Sequence, residues 1–292
     1  MQFTRVGARA LIKNNNISLF FILTLLIGWS PWLIGRGYIV FAAPTIAAII
    51  VTILVDGKNG LKAIWNRLGT WRASPTSYVA ALLLPALTSG IALGVHALLG
   101  GKLPSFPLFS NPMMLVMTFV MFLLPWQSSA FMEEVGFRGY ALEELQKKWG
   151  PLKGTLVLGV FFGAWLLPEF YRVGSAQNAL GVGYYPWFIV TEIGFSLMMT
   201  WVYNQSGKSS LISGVLMHVG MNFWPFVMLT NIVPGQPLPA FDQRLWIITS
   251  VVVLVSGIAA VVLTKGKLGY EEERAQSWKE KKCLNKSIDA PG

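Results

Sequence analysis

The sequence predicts an all-α, polytopic transmembrane helix bundle with about eight spans. Of the 292 residues, 54% are hydrophobic and only 12% are charged, which is about half the charged share of a typical soluble domain. The apolar residues occur in runs of about 20, the length that an α-helix needs to cross a bilayer. This composition excludes an ordinary soluble domain and indicates that lipid surrounds most of the chain.

Turn-forming residues divide the chain into candidate spans. The spans are residues 17–35, 38–55, 76–99, 112–142, 152–170, 184–204, 209–230 and 244–264. The segment 58–72 differs, because its apolar residues recur at helical spacing among basic ones, which is typical of an interfacial amphipathic helix. We expect residues 1–264 to form a single transmembrane domain with a motif-bearing core at about 112–230. Residues 265–292 are expected to form a polar cytoplasmic tail.

The basic residues predict the orientation of the spans. With the N-terminus in the cytoplasm, 18 of the 23 Lys and Arg residues fall in cytoplasmic segments and four in outer connections. Because positive charge concentrates on the cytoplasmic side, we expect a multi-pass protein of the plasma membrane with both termini in the cytoplasm. Membrane lipids are thus expected partners, and the net charge of +10 predicts no nucleic-acid partner, since it forms no single patch. The single cysteine, Cys283, excludes a disulfide framework.

Ionisable side chains within the apolar segments indicate function, because a charge at the bilayer centre costs about 2.5–3.5 kcal/mol on insertion scales. The polar residues concerned are Glu133, Glu134, Arg138, Glu192, His218 and Asn222. Glu134 and Arg138 are four residues apart on one helical face, where they can form an ion pair, and we interpret this pair as a structural brace. Glu192 stays open between a structural and a functional role. His96, toward the end of the third span, is interpreted as structural.

Glu133, His218 and Asn222 are the candidate reactive group. Glu133 points about 100° away from Glu134 on a helix, so the ion pair does not need it. His218 and Asn222 are four residues apart and project from one face of the seventh span. His218 and Glu133 lie about 13 Å from the predicted cytoplasmic ends of their helices, so we expect them to meet in a pocket that opens to the cytoplasm. The alternative is that they are polar contacts between helices.

Three short motifs follow one another on the predicted membrane helices. Residues 133–138 read EEVGFR, residues 162–168 read FGAWLLP and residues 218–222 read HVGMN. They resemble the motifs EExxxR, FxxxH and HxxxN of the CAAX prenyl endopeptidase and bacteriocin-processing (CPBP, Abi) family of intramembrane proteases. The departure lies in the second motif, where Leu166 stands in place of histidine.

The resemblance implies an intramembrane endopeptidase that hydrolyses a peptide bond near the C-terminus of a prenylated or membrane-bound peptide. It implies that Glu133 activates the water and that His218 and Asn222 hold the oxyanion. Glu134 and Arg138 would support the site. These roles come from the resemblance.

Leu166 leaves two function classes open. Loss of one acid–base partner costs about 10²–10⁴-fold in rate, so the chain is either a weakened peptidase or a silent relative that binds peptides as an immunity or scaffold protein. Glu169, three residues later, is a possible substitute, although Pro168 is expected to interrupt the helix before it. A transporter is less favoured, because no inverted repeat is evident.

We predict no metal and no cofactor. A catalytic zinc usually has three protein ligands drawn from His, Glu, Asp and Cys. The chain has two histidines, and only His218 belongs to the candidate group.

Overall fold

Helices form the regular structure of the computed structural model, which describes residues 12–124, 129–233 and 235–271. No strand occurs in these ranges, so the all-α prediction is confirmed. Cys283 and most of the predicted tail lie outside the described residues, and the single-domain division stays a prediction. The α-helices are α1 (Asn16–Leu33), α2 (Ala43–Val55), α3 (Gly57–Gly69), α4 (Pro75–Leu98), α5 (Pro112–Leu123), α6 (Ala130–Gly136), α7 (Leu142–Trp165), α8 (Ala176–Leu180), α9 (Tyr185–Gln205), α10 (Met217–Met228) and α11 (Gln243–Leu263).

Two π-helical segments and two 3₁₀ turns lie next to these α-helices. The π-helical segments are Phe137–Ala141, between α6 and α7, and Leu211–Leu216, immediately before α10. The 3₁₀ turns are Leu167–Phe170, after α7, and Val182–Tyr184, before α9.

Five helical stretches in the described part are long and apolar enough to cross a membrane. They are Asn16–Leu33, Pro75–Leu98, Ala130–Phe170, Leu211–Met228 and Gln243–Leu263. The apolar helices α2 and α5 are shorter, with 13 and 12 residues. The chain therefore has the helices of a multi-pass membrane protein, and the total of about eight spans stays a prediction.

The predicted span 112–142 is not one continuous helix, and this is a correction. Helix α5 ends at Leu123, Leu124 has extended backbone angles (φ −73°, ψ 128°), and α6 begins only at Ala130. Leu124 precedes Pro125, and the ring of a proline disfavours helical angles in the residue before it. The break places Ser129, in a left-handed conformation (φ 57°), directly before the helix that carries Glu133.

The predicted boundary at Gly150-Pro151 is a sharp bend inside α7. Gly150 has φ 77° and ψ 169°, angles that glycine adopts without the steric cost of a Cβ atom. A Cβ on Gly154 would lie 2.9 Å from the carbonyl carbon of Leu145, so the two arms of α7 approach each other closely. As expected, the second arm ends before Pro168, at Trp165.

The interfacial segment is helical, as its spacing predicts. Helix α3 buries Ile64 and Leu68 against the bundle and leaves Trp65 exposed. The guanidinium Nη1 of Arg67 donates a hydrogen bond to the carbonyl oxygen of Gly139 (2.8 Å). Helix α3 therefore packs on the π-helical segment Phe137–Ala141, which joins α6 to α7.

Helix α9 packs between α7 and α11 through glycines. A Cβ on Gly159 of α7 would lie 2.9 Å from Cα of Ile193, and a Cβ on Gly194 of α9 would lie 2.7 Å from the backbone of Val253. A Cβ on Gly257 of α11 would lie 2.7 Å from the carbonyl oxygen of Gly194. Small residues let membrane helices approach until their backbones make van der Waals contact.

We predict that Gly194→Ala destabilises this packing. The added methyl has no room beside the α11 backbone, and overpacking typically costs about 1–3 kcal/mol. Thermal unfolding in detergent, followed by tryptophan fluorescence, should show a midpoint several degrees below that of the wild type. Gly94→Ala in α4 is the matched control, because nothing lies within 4 Å of its Cβ position. Equal midpoints for the two variants would contradict the packing argument.

Candidate functional site

Helix α6 holds the two adjacent glutamates in different environments. Both carboxylates are buried, and Glu134 Oε1 accepts a hydrogen bond from Arg138 Nη1 at 2.8 Å. The predicted ion pair is therefore present. Arg138 lies in the π-helical segment Phe137–Ala141, a local widening of the helix that is frequent at functional sites. Its Nη2 donates to Ser196 Oγ of α9 (3.2 Å).

Glu134 also binds His218, a contact that the sequence did not predict. The Nδ1 atom of His218 lies 2.8 Å from the Oε1 atom of Glu134 that receives Arg138. A Cβ on Gly214, one turn before His218, would lie 2.9 Å from Cβ of Glu134. Glycine at this position allows the segment Leu211–Leu216 to approach α6 closely enough for the imidazole to reach the carboxylate.

Glu133 faces the opposite nitrogen of the same imidazole. Its Oε2 lies 3.9 Å from Nε2 of His218, which is longer than a hydrogen bond. Its Oε1 accepts a hydrogen bond from the indole Nε1 of Trp165 (3.2 Å). The two predicted groups thus meet, and Trp165 fixes one oxygen of Glu133.

Trp165 is the residue of this cluster that sequence reasoning missed. It lies inside the second motif, directly before Leu166, and its backbone carbonyl accepts a hydrogen bond from Trp29 of α1 (2.9 Å). The spacing of residues along the sequence could not predict its contact with Glu133, because the C-terminal end of α7 and α6 are brought together only by the tertiary fold. A tryptophan N–H is usually hydrogen-bonded when buried, and this rule was the available signal.

Leu166 and Asn222 line the same cavity as Glu133 and His218. Leu166 is buried and follows the last residue of α7. Its side chain has no donor or acceptor, so it supplies no acid–base group at the position of the motif-two histidine. Asn222 is half-buried and lies one turn after His218 on α10.

The cavity has a volume of about 520 Å³. From Glu133 and His218 it continues to the connections that follow α7 and α10, including Arg172, Gln177 and Leu238. On the orientation predicted from the charges, these connections lie on the outer side, which disagrees with the expected opening to the cytoplasm. The orientation itself stays a prediction. The positions of Glu133 and His218 along their helices predicted how deep the site lies. They could not predict that α3 and the buried Arg138 occupy the end of the bundle opposite these connections.

The remaining predicted residues lie in three places. Glu192 is buried on α9 and lines the cavity, one turn before the Ser196 that binds Arg138. Glu169 lies in the 3₁₀ turn Leu167–Phe170, also at the cavity. His96 does not line it; its Nε2 lies 3.4 Å from Oδ2 of Asp242 at the start of α11, which agrees with a structural role.

The donor set of the cluster is poor for a catalytic metal. Among the residues that the structure describes, no group of three or more His, Cys, Asp or Glu side chains is arranged to hold a metal ion. One oxygen of the Glu134 carboxylate, Oε1, already binds Arg138 and His218. The prediction of a metal-free site stays a prediction.

The helices form a multi-pass bundle with an internal cavity, and two glutamates, an arginine and a histidine are buried beside that cavity. These features are those of a membrane protein with a polar site inside the bundle.

The family model described as "Rce1-like: Type II CAAX prenyl endopeptidase Rce1-like" matches residues 115–224, which include all three motifs. A CAAX prenyl protease 2 of Methanococcus maripaludis is 28% identical over 279 residues, covering 88% of this chain and 97% of that protein. The resemblance to CAAX prenyl endopeptidases is thereby confirmed. It supports an intramembrane endopeptidase function and substrates that are membrane-associated peptides.

We predict that Glu134→Ala is strongly destabilising. It leaves Arg138 and His218 buried without their shared partner, and removing one member of a buried ion pair costs about 3–5 kcal/mol. The thermal midpoint and the yield of folded protein in detergent should both fall. Lys147→Ala is the control, because this lysine is 52% exposed in its ion pairs with Glu143 and Glu144 and such pairs contribute about 1 kcal/mol or less. Similar losses in both variants would contradict the central place given to Glu134.

Proposed function

We propose that the chain is an intramembrane endopeptidase that hydrolyses a peptide bond near the C-terminus of a prenylated or membrane-bound peptide. The observation that carries this proposal is the placement of Glu133 and His218 on either side of the cavity end, with 3.9 Å between Oε2 and Nε2. Amide hydrolysis needs a base for the water and a donor for the oxyanion. These two side chains supply both groups at one place.

Glu133 acts as the general base. Trp165 occupies its Oε1, which leaves Oε2 at the cavity to accept a proton from water. The water oxygen then forms a bond to the carbonyl carbon, and the carbonyl π electrons move to the oxygen. When the carbon–nitrogen bond breaks, the proton held by Glu133 passes to the leaving amine, so the carboxylate is regenerated.

His218 and Asn222 stabilise the oxyanion. The Nδ1 atom of His218 is held by Oε1 of Glu134, which also accepts a hydrogen bond from Arg138. Nε2 is therefore the ring nitrogen that faces Glu133, and in the proposed reaction its N–H donates to the oxyanion. Asn222, on the same face of α10, adds an amide N–H donor. Preorganised donors of this kind contribute about 2.7–4 kcal/mol each to transition-state binding.

Leu166 limits the rate. A histidine in its place would share the proton of the attacking water with Glu133, and Leu166 contributes only apolar surface to the cavity. We therefore expect slow turnover, lower by about 10²–10⁴-fold than for a complete acid–base set. The same observation supports the alternative function, a silent relative that binds such peptides as an immunity or scaffold protein.

The first test is cleavage of a farnesylated reporter peptide by purified protein in liposomes. We expect release of the C-terminal fragment by the wild type and a loss of at least about 100-fold in Glu133→Gln, which preserves size but removes the base. Glu144→Gln is the control, since this glutamate lies on α7 outside the cavity lining. Peptide binding without cleavage by the wild type would favour the silent relative.

The second test is Leu166→His. If the rest of the site is assembled for hydrolysis, a histidine at this cavity position should raise kcat by about 10²-fold or more. Leu167→His is the matched control, because the neighbouring leucine does not line the cavity. No gain from Leu166→His in a folded variant would show that the cavity no longer positions a second acid–base group.

A further inference from the structure

Glu169 is a buried carboxylate that the proposed hydrolysis does not use. It lies in the 3₁₀ turn Leu167–Phe170, three residues beyond Leu166, and its amide N–H donates to the carbonyl oxygen of Leu166 (3.0 Å). The residue is 2% exposed, and it lines the same cavity as Glu133 and His218. The cavity therefore has a second acidic group, displaced from the first toward the connection after α7.

The two oxygens of Glu169 differ in their partners. Oε2 accepts hydrogen bonds from Nε and Nη2 of Arg172 at 2.7 and 2.5 Å. Oε1 is buried and has no hydrogen-bond partner among the residues that the structure describes. A carboxylate accepts hydrogen bonds on both oxygens, and buried acceptors are nearly always satisfied. Oε1 is thus a buried acceptor without a protein donor, in a residue that lines the cavity.

The turn that carries Glu169 is held by several hydrogen bonds. Ser175 Oγ donates to the carbonyl oxygen of Glu169 (2.6 Å), and Asn178 Nδ2 donates to that of Phe170 (2.9 Å). Arg172 donates two charge-assisted hydrogen bonds to Oε2, and bonds of this kind are stronger than those between neutral groups. The direction of Oε1 is consequently set before any ligand arrives, and preorganised acceptors bind with a smaller entropic cost.

We propose that Glu169 is a specificity-determining residue that binds a basic side chain, Lys or Arg, of the peptide substrate next to the scissile bond. This inference rests on the proposed function. A cationic donor forms the strongest hydrogen bond with a carboxylate, and the aliphatic stem of such a side chain packs well on an apolar wall. Phe226, Phe241 and Trp246 supply apolar wall in this cavity.

The position of Glu169 in the 3₁₀ turn indicates which residue of the substrate it would contact. Glu169 follows Leu166 by three positions, a rise of about 6 Å at 3₁₀ geometry, and both residues line the cavity. An extended peptide covers this length with about two residues. We therefore place the basic side chain within about two residues of the bond that Glu133 and His218 address.

The test compares three farnesylated reporter peptides that differ only within two residues of the scissile bond. One carries lysine there, one carries norleucine, which has a similar length without charge, and one carries glutamate. Binding to the protein in detergent is followed by fluorescence anisotropy, and cleavage is measured in the same samples. We expect the wild type to bind the lysine peptide about 10- to 100-fold more tightly than the norleucine peptide, as a charged hydrogen bond predicts. The glutamate peptide should bind most weakly.

Four variants identify the group responsible. Glu169→Gln should reduce the lysine preference to less than about threefold, whereas Glu169→Asp should retain part of it. Glu144→Gln, whose carboxylate lies outside this cavity, should keep the full preference. Arg172→Gln should retain part of the preference, because the carboxylate that receives the lysine is still present but is no longer held in place by the guanidinium.

The proposal and the proposed function fail in different ways. Equal binding of the lysine and norleucine peptides by the wild type, no binding of any peptide, or a full preference in folded Glu169→Gln overturns the role of Glu169. Cleavage of both peptides without preference would then leave the peptidase standing. A lysine preference without any cleavage would overturn the peptidase and leave Glu169 as the acceptor of a peptide-binding protein.

Discussion

The carboxylate of Glu134 joins three parts of the bundle that the chain brings together from distant positions. It receives Arg138 from its own helix and His218 from α10 on a single oxygen, and Arg138 continues the connection to Ser196 of α9. Burying ions in a membrane is costly unless each finds a partner. This network therefore links α6, α9 and α10 to one another, and Glu133, Glu192 and His218 beside it line the cavity.

The same network determines the chemistry available at the cavity. Because Arg138 and His218 are both held by Oε1 of Glu134, neither needs the adjacent Glu133, which faces another environment. Because Nδ1 of His218 is engaged, Nε2 is the nitrogen that faces Glu133. Two neighbouring glutamates thus acquire different tasks, one holding the structure and one available to a ligand, as paired carboxylates in distinct environments often do.

Much of this arrangement could be predicted because it depends on short-range geometry. Spacing along a helix places Glu134 beside Arg138 and turns Glu133 away, and the cost of charge in lipid selects these residues. The bonds from Trp165 to Glu133 and from His218 to Glu134 depend on the fold, since they join residues 32 and 84 positions apart. The end of the bundle toward which the cavity extends could not be predicted for the same reason. It depends on how α3 and Arg138 fill one end of the bundle, which no local pattern records.

Helix α2 has a consequence for the solvent around the site. Its 13 residues span about 20 Å, roughly 10 Å less than the hydrocarbon thickness of a bilayer. It packs directly on α6, where Thr45 Oγ1 donates to the carbonyl oxygen of Met132, the residue before Glu133. If α2 crosses the bilayer as the sequence predicts, thinning of the lipid is one way to accommodate so short a helix, and the hydrophobic barrier would then be thinnest beside the acidic residues. The hydrolysis that we propose would take place where water has the least lipid to cross.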